Sequence, residues 1–189
     1  TISNGVCTPS FDDVVLTNSA TPTVADAGVS IDQCNTSTFT MAANTAAIGT
    51  GLWTVQLGTA TITNNTSPTT TITGIAAGTS ATLRWTISNG SCAPTFEDII
   101  LTNYQTPTVA DAGLPQEQCN NGSFTLAGNP PAISSGLWTI VGAANGAVIT
   151  TPTSEVSTVT GLNAGFSVTL RWTISNGVCT PSFDDVVLT

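Results

Sequence analysis

The sequence contains few charged side chains and lacks two residue types entirely. It has no lysine and no histidine. Two arginines and 11 acidic residues give it a net charge of −9 over 189 residues. Nucleic-acid binding requires clustered Lys and Arg, so we expect no nucleic-acid partner. Without His or Lys, a general base would have to be a carboxylate or a thiolate, and no arrangement of serine, aspartate and base stands out. We therefore expect no catalytic residues and no enzyme activity.

Long apolar segments are missing as well. No apolar run approaches the roughly 18 residues needed to cross a bilayer, so we expect no membrane insertion by this segment. Nothing resembles a signal peptide, and we expect the export and anchoring signals to lie outside this sequence. The chain has no Cys-x-x-Cys pair, which together with the lack of histidine argues against a zinc site. The sequence predicts no cofactor.

What the chain does contain is a repeated phrase. The residues TISNGVCTPSFDDVVLT occur at 1–17 and again at 173–189, and a related version, TISNGSCAPTFEDIILT, occurs at 86–102. Identity over such a length indicates tandem copying. The phrases PTVADAG, GLWT and TLRWTISNG also recur. We divide the chain into a leading segment at 1–17, expected to be the last hairpin of a preceding repeat, a first repeat at 18–103 and a second repeat at 104–189.

Apolar residues in each repeat recur with a period of two, which is typical of strands rather than helices. Leu83, Trp85 and Ile87 share one strand face and are expected in the core. The predicted strands of the first repeat lie near residues 22–27, 36–43, 51–57, 59–64, 69–75, 80–88 and 95–102. The sequence thus predicts an all-β chain of tandem seven-stranded immunoglobulin-like Greek-key sandwiches, stacked end to end.

Several phrases of the chain resemble the PKD-like, immunoglobulin-like repeats that form long arrays in secreted surface proteins of Bacteroidota, including the large gliding-motility adhesins. They are PTVADAG, QC, TLAGN, GLWT, TVTGL, LRWTISNGVC and DDVVLT. The resemblance covers essentially the whole chain. It implies export by the type IX route, attachment to the cell surface through a C-terminal sorting domain, and hence an extracellular location.

Five cysteines occupy equivalent places in the repeats. Cys7, Cys92 and Cys179 belong to a Ser-Asn-Gly-x-Cys turn, whereas Cys34 and Cys119 each follow a glutamine. Recurrence in register suggests disulfides formed in an oxidising compartment.

Two disulfide arrangements are open. In a sandwich with alternating strands, Cys34 and Cys92 lie at opposite ends of one repeat, on the order of 20 Å apart, whereas bonded Cα atoms lie within about 7 Å. We therefore favour a bond between Cys34 and Cys179 across the junction of stacked repeats, with Cys7, Cys92 and Cys119 paired to cysteines outside this sequence. If the first strand bends, Cys34 bonds to Cys92 instead.

The charged residues suggest one structural role and one ligand role. The expected ion pairs are Arg84 with Glu97 or Asp98, and Arg171 with Asp184 or Asp185. Carboxylates that converge on the junction could instead bind Ca²⁺, which prefers oxygen ligands, although no compact Asp-x-Asp-x-Asp spacing is present. The candidate calcium ligands are Asp32, Asp111, Asp184 and Asp185.

We interpret the chain as a structural repeat segment of a long extracellular cell-surface fibre or adhesin, a disulfide-stiffened stalk used in surface adhesion or gliding motility. Its partners would be the neighbouring repeats of the same chain, and a surface or glycan ligand bound through parts outside this sequence. Two alternatives are a glycan-binding immunoglobulin-like module and a self-assembling surface filament.

Overall fold

The fold consists of strands and turns, without a helix. The structure, a computed structural model, describes residues 1–189. The strands of the first repeat are β1 Ile31–Cys34, β2 Phe39–Thr40, β3 Thr50–Leu57, β4 Thr61–Ile62, β5 Thr71–Thr73, β6 Thr79–Ser88 and β7 Thr95–Tyr104. Those of the second repeat are β8 Phe124–Thr125, β9 Ser135–Val141, β10 Val148–Ile149, β11 Thr158–Thr160, β12 Val168–Ser175 and β13 Ser182–Leu188. The predicted all-β architecture is confirmed.

Each repeat is built from two sheets around its own core. In the first repeat the larger sheet has the order β1-β7-β6-β3 and the smaller has the order β2-β5-β4. The second repeat has the sheets β13-β12-β9 and β10-β11-β8. It has six strands instead of the predicted seven, because the place of β1 is taken by a single parallel bridge between Gln116 and Leu188. Because the strands alternate apolar and polar residues, one face of each sheet turns inward and the other faces solvent.

A pair of tryptophans lies at the centre of each core. Trp53 on β3 is the register partner of Trp85 on β6, and their ring centroids are 5.2 Å apart. In the second repeat Trp138 and Trp172 repeat the arrangement at 5.0 Å. All four rings are buried. The two hydrophobic clusters share no residue, so each repeat has a separate core.

The start of the first repeat differs from the expectation. The pattern at 22–27 predicts a strand, but the first strand of the structure is β1, which pairs in parallel with the last four residues of β7. Residues 22–27 form no ladder of backbone hydrogen bonds with β7; they bond to side chains of that strand instead. The amide of Ala25 donates to Thr95 Oγ1 at 2.9 Å, and the amide of Ala27 donates to the Glu97 carboxylate at 2.6 Å. Both alanines are buried, which produces a strand-like pattern without a strand.

The leading segment is exposed along all of residues 1–17. It contains one isolated bridge, between Ile2 and Ser10, and no strand. The identical residues at 173–189 contribute to β12 and β13, where Ile174 is fully buried, whereas its counterpart Ile2 is 79% exposed. The leading segment therefore has a strand sequence but no neighbouring strands that cover its apolar side chains.

Candidate functional site at the domain junction

A disulfide joins the two repeats. Cys34, the last residue of β1, is bonded to Cys179, which lies in the turn between β12 and β13, with 5.0 Å between the Cα atoms. The structure leaves Cys7, Cys92 and Cys119 as free thiols. The alternative bond between Cys34 and Cys92 is not formed. The parallel pairing places Cys34 beside Tyr104, at the far end of β7 from Cys92, and ten strand residues span about 33 Å.

Hydrogen bonds fix the Cys34 side of the junction. The next residue, Asn35, has a positive φ of 49° and donates its amide to the carbonyl of Tyr104 at 2.7 Å. Thr36 donates its amide to Oδ1 of Asn103 at 3.0 Å, and the buried Asn103 amide group donates to the carbonyl of Ile75. The Cys34 backbone is therefore held against the end of the strand that leads into the second repeat.

The Cys179 side is a tight turn packed on the linker. Asn176 Nδ2 donates to the carbonyl of Gln105 at 2.8 Å, and the Cys179 amide donates to the carbonyl of Asn176 at 3.0 Å. Gly177 has a φ of 52°, and a Cβ atom there would collide with the Tyr104 ring. Only glycine meets both demands, because it tolerates positive φ and has no Cβ.

The first repeat carries the same turn at its own N-terminal end. Asn89 Nδ2 donates to the carbonyl of Ala20 at 2.8 Å, and the Cys92 amide donates to the carbonyl of Asn89 at 3.1 Å. Gly90 has a φ of 55°, and a Cβ atom there would lie 2.6 Å from Oγ of Ser19. Ser19 thus occupies the place that Tyr104 has at the junction. Sequence reasoning missed both linker contacts, although the phrase Leu-Thr-Asn before each of them was a signal.

The arginines form paired contacts on the outer sheet face. Arg84 donates through Nε and Nη2 to the two carboxylate oxygens of Asp98 at 2.7 and 2.8 Å, and its guanidinium lies 3.8 Å from the centre of the Phe96 ring. Arg171 contacts Asp185 at the same distances and stacks on its own phenylalanine at 3.9 Å. Each arginine is the register partner of its aspartate on the neighbouring strand.

The other acidic residue of each candidate pair points to the opposite face. Glu97 accepts the amide of Ala27, and Asp184 accepts the amide of Ala112 at 2.8 Å. Neither carboxylate is therefore the partner of an arginine. The structure uses both as acceptors for the segment that precedes the first strand.

The ion pairs shift the acidity of the two aspartates. Hydrogen bonds from Arg84 lower the pKa of the Asp98 carboxyl below its ordinary value, against a smaller opposing effect of desolvation, and Arg171 does the same to the pKa of Asp185. A carboxyl with a depressed folded-state pKa stabilises the fold above its unfolded pKa of about 3.9. That stabilisation is lost as the pH falls through the folded-state pKa.

We expect Asp98→Asn to lower the melting temperature slightly at pH 7, because the pair is only partly shielded from water. The difference from the parent chain should shrink as the pH falls from about 4 towards 2. Scanning calorimetry across this pH range measures it. The matched control is Asp13→Asn, which changes the equivalent aspartate of the exposed leading segment. Equal effects of the two substitutions would contradict the role of the ion pair.

The calcium candidates do not assemble into a site. No group of three or more acidic or cysteine side chains is placed so that it could hold a metal ion. Asp184 already accepts the Ala112 amide, and Asp185 is engaged by Arg171. Asp32 and Asp111 belong to no such group either, so the convergence on the junction that the sequence suggested does not occur.

Comparison with known proteins identifies the fold. No protein-family model and no curated protein match the chain. Solved structures do match, including immunoglobulin domains 1–5 of Sidekick-1, with a TM-score of 0.63 and 10% identity over 91% of this chain and 40% of that one. Sidekick-1 domains 1–4 match with a TM-score of 0.57 and 10% identity, over 92% of this chain and 51% of that one.

The four N-terminal immunoglobulin domains of Dscam1 isoform 6.9 also match, with a TM-score of 0.51 and 12% identity over 91% of this chain and 46% of that one. The chain spans about half the length of these structures or less, and at such identities the similarity shows the fold alone. The chain contains no helix that could cross a membrane. It is an all-β protein of tandem immunoglobulin-like sandwiches, joined across their junction by a disulfide.

Proposed function

We propose that this chain is a structural, non-enzymatic segment of an extracellular fibre or adhesin, in which stapled repeats form a stiff spacer that holds other parts of the protein away from the cell surface. The observation that carries the proposal is the bond between Cys34 and Cys179. Movement between neighbouring domains is the usual expectation for a simple linker. A second covalent connection beside the linker, together with the Tyr104 ring packed on Gly177, removes most of that freedom.

The redox state of the cysteines supports an extracellular location. Disulfides form and persist in oxidising compartments, whereas the cytosol keeps thiols reduced. Cys92 and Cys119 are the counterparts of the two bonded cysteines, and we infer that they bond to the preceding and following repeats. Cys7 would bond to a still earlier repeat. The resemblance to adhesin arrays of Bacteroidota suggests surface adhesion or gliding motility as the setting of such a spacer.

Solution scattering tests the proposal. The oxidised chain should show a narrow distribution of radii of gyration, and the double variant Cys34→Ser with Cys179→Ser should show a clearly broader one, because only the linker then restrains the repeats. The matched control is Cys92→Ser with Cys119→Ser, which removes two free thiols and leaves the bond intact. Equal widths for the bonded and unbonded chains would contradict the spacer, as would selective retention of the chain on a glycan array.

A further inference from the structure

The outward side of the larger sheet carries the same arrangement of side chains in both repeats. We call it the outer face, and it has an arginine–aspartate pair at its centre and an apolar side chain at each of four corners. In the first repeat it consists of Leu52 and Leu57 on β3, Arg84 on β6, and Phe96, Asp98 and Ile100 on β7. In the second repeat it consists of Leu137 and Val141 on β9, Arg171 on β12, and Phe183, Asp185 and Val187 on β13.

The strand register brings these residues together in three rows. Thr86 on β6 lies between Leu52 and Phe96, and the next outward row has Arg84 beside Asp98. The third row is again apolar at both ends. The eight apolar side chains of the two outer faces are 39 to 71% exposed. Single exposed apolar residues are ordinary, but four that surround one ion pair form a patch of the kind that marks an interaction surface.

One corner is apolar in both repeats although the aligned residues differ. Counting from the shared phrase GLWT, the counterpart of Val141 is the polar Gln56. A β-bulge just before Leu57 shifts the register, so that Leu57 lies opposite Thr82, as Val141 lies opposite Thr169. Bulges re-aim side chains in this way. The bulge therefore restores an apolar side chain at this corner of the first outer face.

The outer faces are neutral, whereas the chain is strongly acidic. They contain both arginines and two of the 11 acidic residues, so the entire net charge of −9 is carried by other parts of the chain. A basic partner would be attracted to those other parts. An outer face suits a partner surface that is equally neutral and apolar, and the outer face of a second copy meets that description, because two copies can approach there without like-charge repulsion.

The charges also select one way of pairing the outer face with itself. Sheets that pack face to face lie about 10 Å apart, with strand directions within about 30° of each other. A two-fold axis parallel to the strands and midway between β6 and β7 places Arg84 of each copy over Asp98 of the other. A two-fold axis across the strands, through the middle row, would place Arg84 over Arg84. The first arrangement is self-complementary, as a two-fold contact requires, and the two copies then run in the same direction.

The same arrangement covers the apolar corners on β3. The segment at 24–30 runs along the other edge of β7, to which it is tied by hydrogen bonds at Ala25 and Ser30. With the two-fold axis between β6 and β7, β3 of one copy lies over this segment of the other. The segment adds the exposed apolar residues Val24 and Val29 to the contact.

We propose that the outer face binds the outer face of a second copy of this chain, so that two copies lie side by side and point in the same direction. Lateral association goes beyond the spacer function, because it joins single spacers into bundles. With strands about 4.8 Å apart, one face measures roughly 20 Å by 20 Å. A contact therefore buries roughly 800 Å² over both copies, which is less than the roughly 1,200 Å² of stable complexes. The contact is weak and reversible, and it strengthens when several faces act together.

Sedimentation equilibrium of the full chain tests the contact up to millimolar concentration. All samples carry Cys7→Ser, Cys92→Ser and Cys119→Ser, so that only non-covalent association is measured. In about 0.15 M salt, where charge repulsion is screened beyond about 8 Å, we expect the average mass to rise reversibly with concentration. Leu52→Ser with Leu137→Ser removes one corner of each face and should raise the dissociation constant about tenfold or more.

The matched control is Val148→Ser with Val156→Ser. Both side chains are 59% exposed and lie outside the outer faces, so this variant should associate as the parent does. The melting temperatures of both double variants verify that they are folded. A chain that remains monomeric at millimolar concentration contradicts the contact, as does association that the leucine variant leaves unchanged or that the control weakens equally.

A charge-swapped variant tests the two-fold arrangement. It combines Arg84→Asp, Asp98→Arg, Arg171→Asp and Asp185→Arg, which exchange the charges within each pair and keep the faces neutral. Two swapped copies still place opposite charges over each other and should associate as two parent copies do. A parent copy and a swapped copy place like charges over each other, so their mixed complex, followed with a fluorescent label on the parent, should be about tenfold weaker or more.

A mixed complex as tight as the parent complex would overturn the two-fold pairing and would indicate unspecific contact between apolar surfaces. None of these outcomes depends on the bond between Cys34 and Cys179. The proposed spacer is therefore tested separately from its lateral association.

Discussion

Replacing Trp172 by alanine should make the second repeat unfold at a far lower denaturant concentration than the first. Trp172 is fully buried and packs against Trp138 with 5.0 Å between ring centroids. Truncation of a buried Trp to alanine typically costs about 3 to 5 kcal/mol, because the lost burial is accompanied by a cavity. Small domains have total stabilities of about 5 to 15 kcal/mol, so this loss is a large part of what holds the repeat together. Hydrogen exchange resolved by repeat measures it.

The repetition of the chain supplies the controls. Trp85→Ala should produce the mirror result, with the first repeat weakened and the second unchanged, because the two cores share no residue. Leu137 lies on the outer face of β9 and is 45% exposed, and Leu137→Ala should cost far less than Trp172→Ala. Loss of protection in both repeats to the same extent after Trp172→Ala would show that the cores are not independent.

Gly177→Ala adds one atom, Cβ, to the turn at the junction and should disrupt the contact between the repeats. A left-handed conformation costs a residue with a Cβ roughly 1 to 2 kcal/mol, and here the added atom would also collide with the Tyr104 ring. We expect the turn to move away from the linker, so that the bond between Cys34 and Cys179 forms more slowly and is reduced more easily. The fraction of bonded cysteines in a graded glutathione buffer, together with the melting temperature, gives the measurement.

Three copies of the turn provide a graded series for this substitution. Gly5, Gly90 and Gly177 have φ values of 54°, 55° and 52°. A Cβ at Gly5 would meet nothing within 4 Å, and one at Gly90 would meet only the Ser19 side chain, with Cβ at 3.4 Å and Oγ at 2.6 Å, and the Oγ atom can rotate away. All three variants share the backbone strain, so the effect on junction bonding should be confined to Gly177→Ala. The junction contact would be refuted if Gly5→Ala slowed the bond between Cys34 and Cys179 as much.

The long strands could be read from the sequence because their side chains alternate over many residues. The segment at 80–88 is β6, and the inward face assigned to Trp85 is the buried one. The same alternation could have separated Asp98 from Glu97, because the outward Arg84 needs an acidic partner on the outward face of the next strand. The segments at 36–43 and 59–64 contract to two paired residues each, since only part of each run finds a partner strand.

The parallel pairing of β1 could not be read from local patterns. Its partner residues in β7 lie 70 positions away, and no short-range signal distinguishes a parallel edge strand from a turn. The segment at 22–27 looks like a strand because Ala25 and Ala27 alternate inward, but the amides of these two residues bond to side chains instead of a backbone. The contact of Tyr104 with Gly177 could not be predicted from the sequence either, because it exists only once two repeats have stacked.

The position of the disulfide also decides what happens when the two ends of the chain are pulled apart. The bonded cysteines are separated by 145 positions, so tension passes from Cys34 directly to Cys179 and the chain between them carries none of it. The 33 residues before Cys34 and the 10 after Cys179 lie outside this loop, and they could be drawn out to roughly 150 Å, against roughly 640 Å for an unbridged chain of this length. Both tryptophan pairs lie inside the loop. Pulling on the two ends can therefore extend the bridged chain only by the length of the segments outside the loop, and it does not draw out the strands that carry either pair.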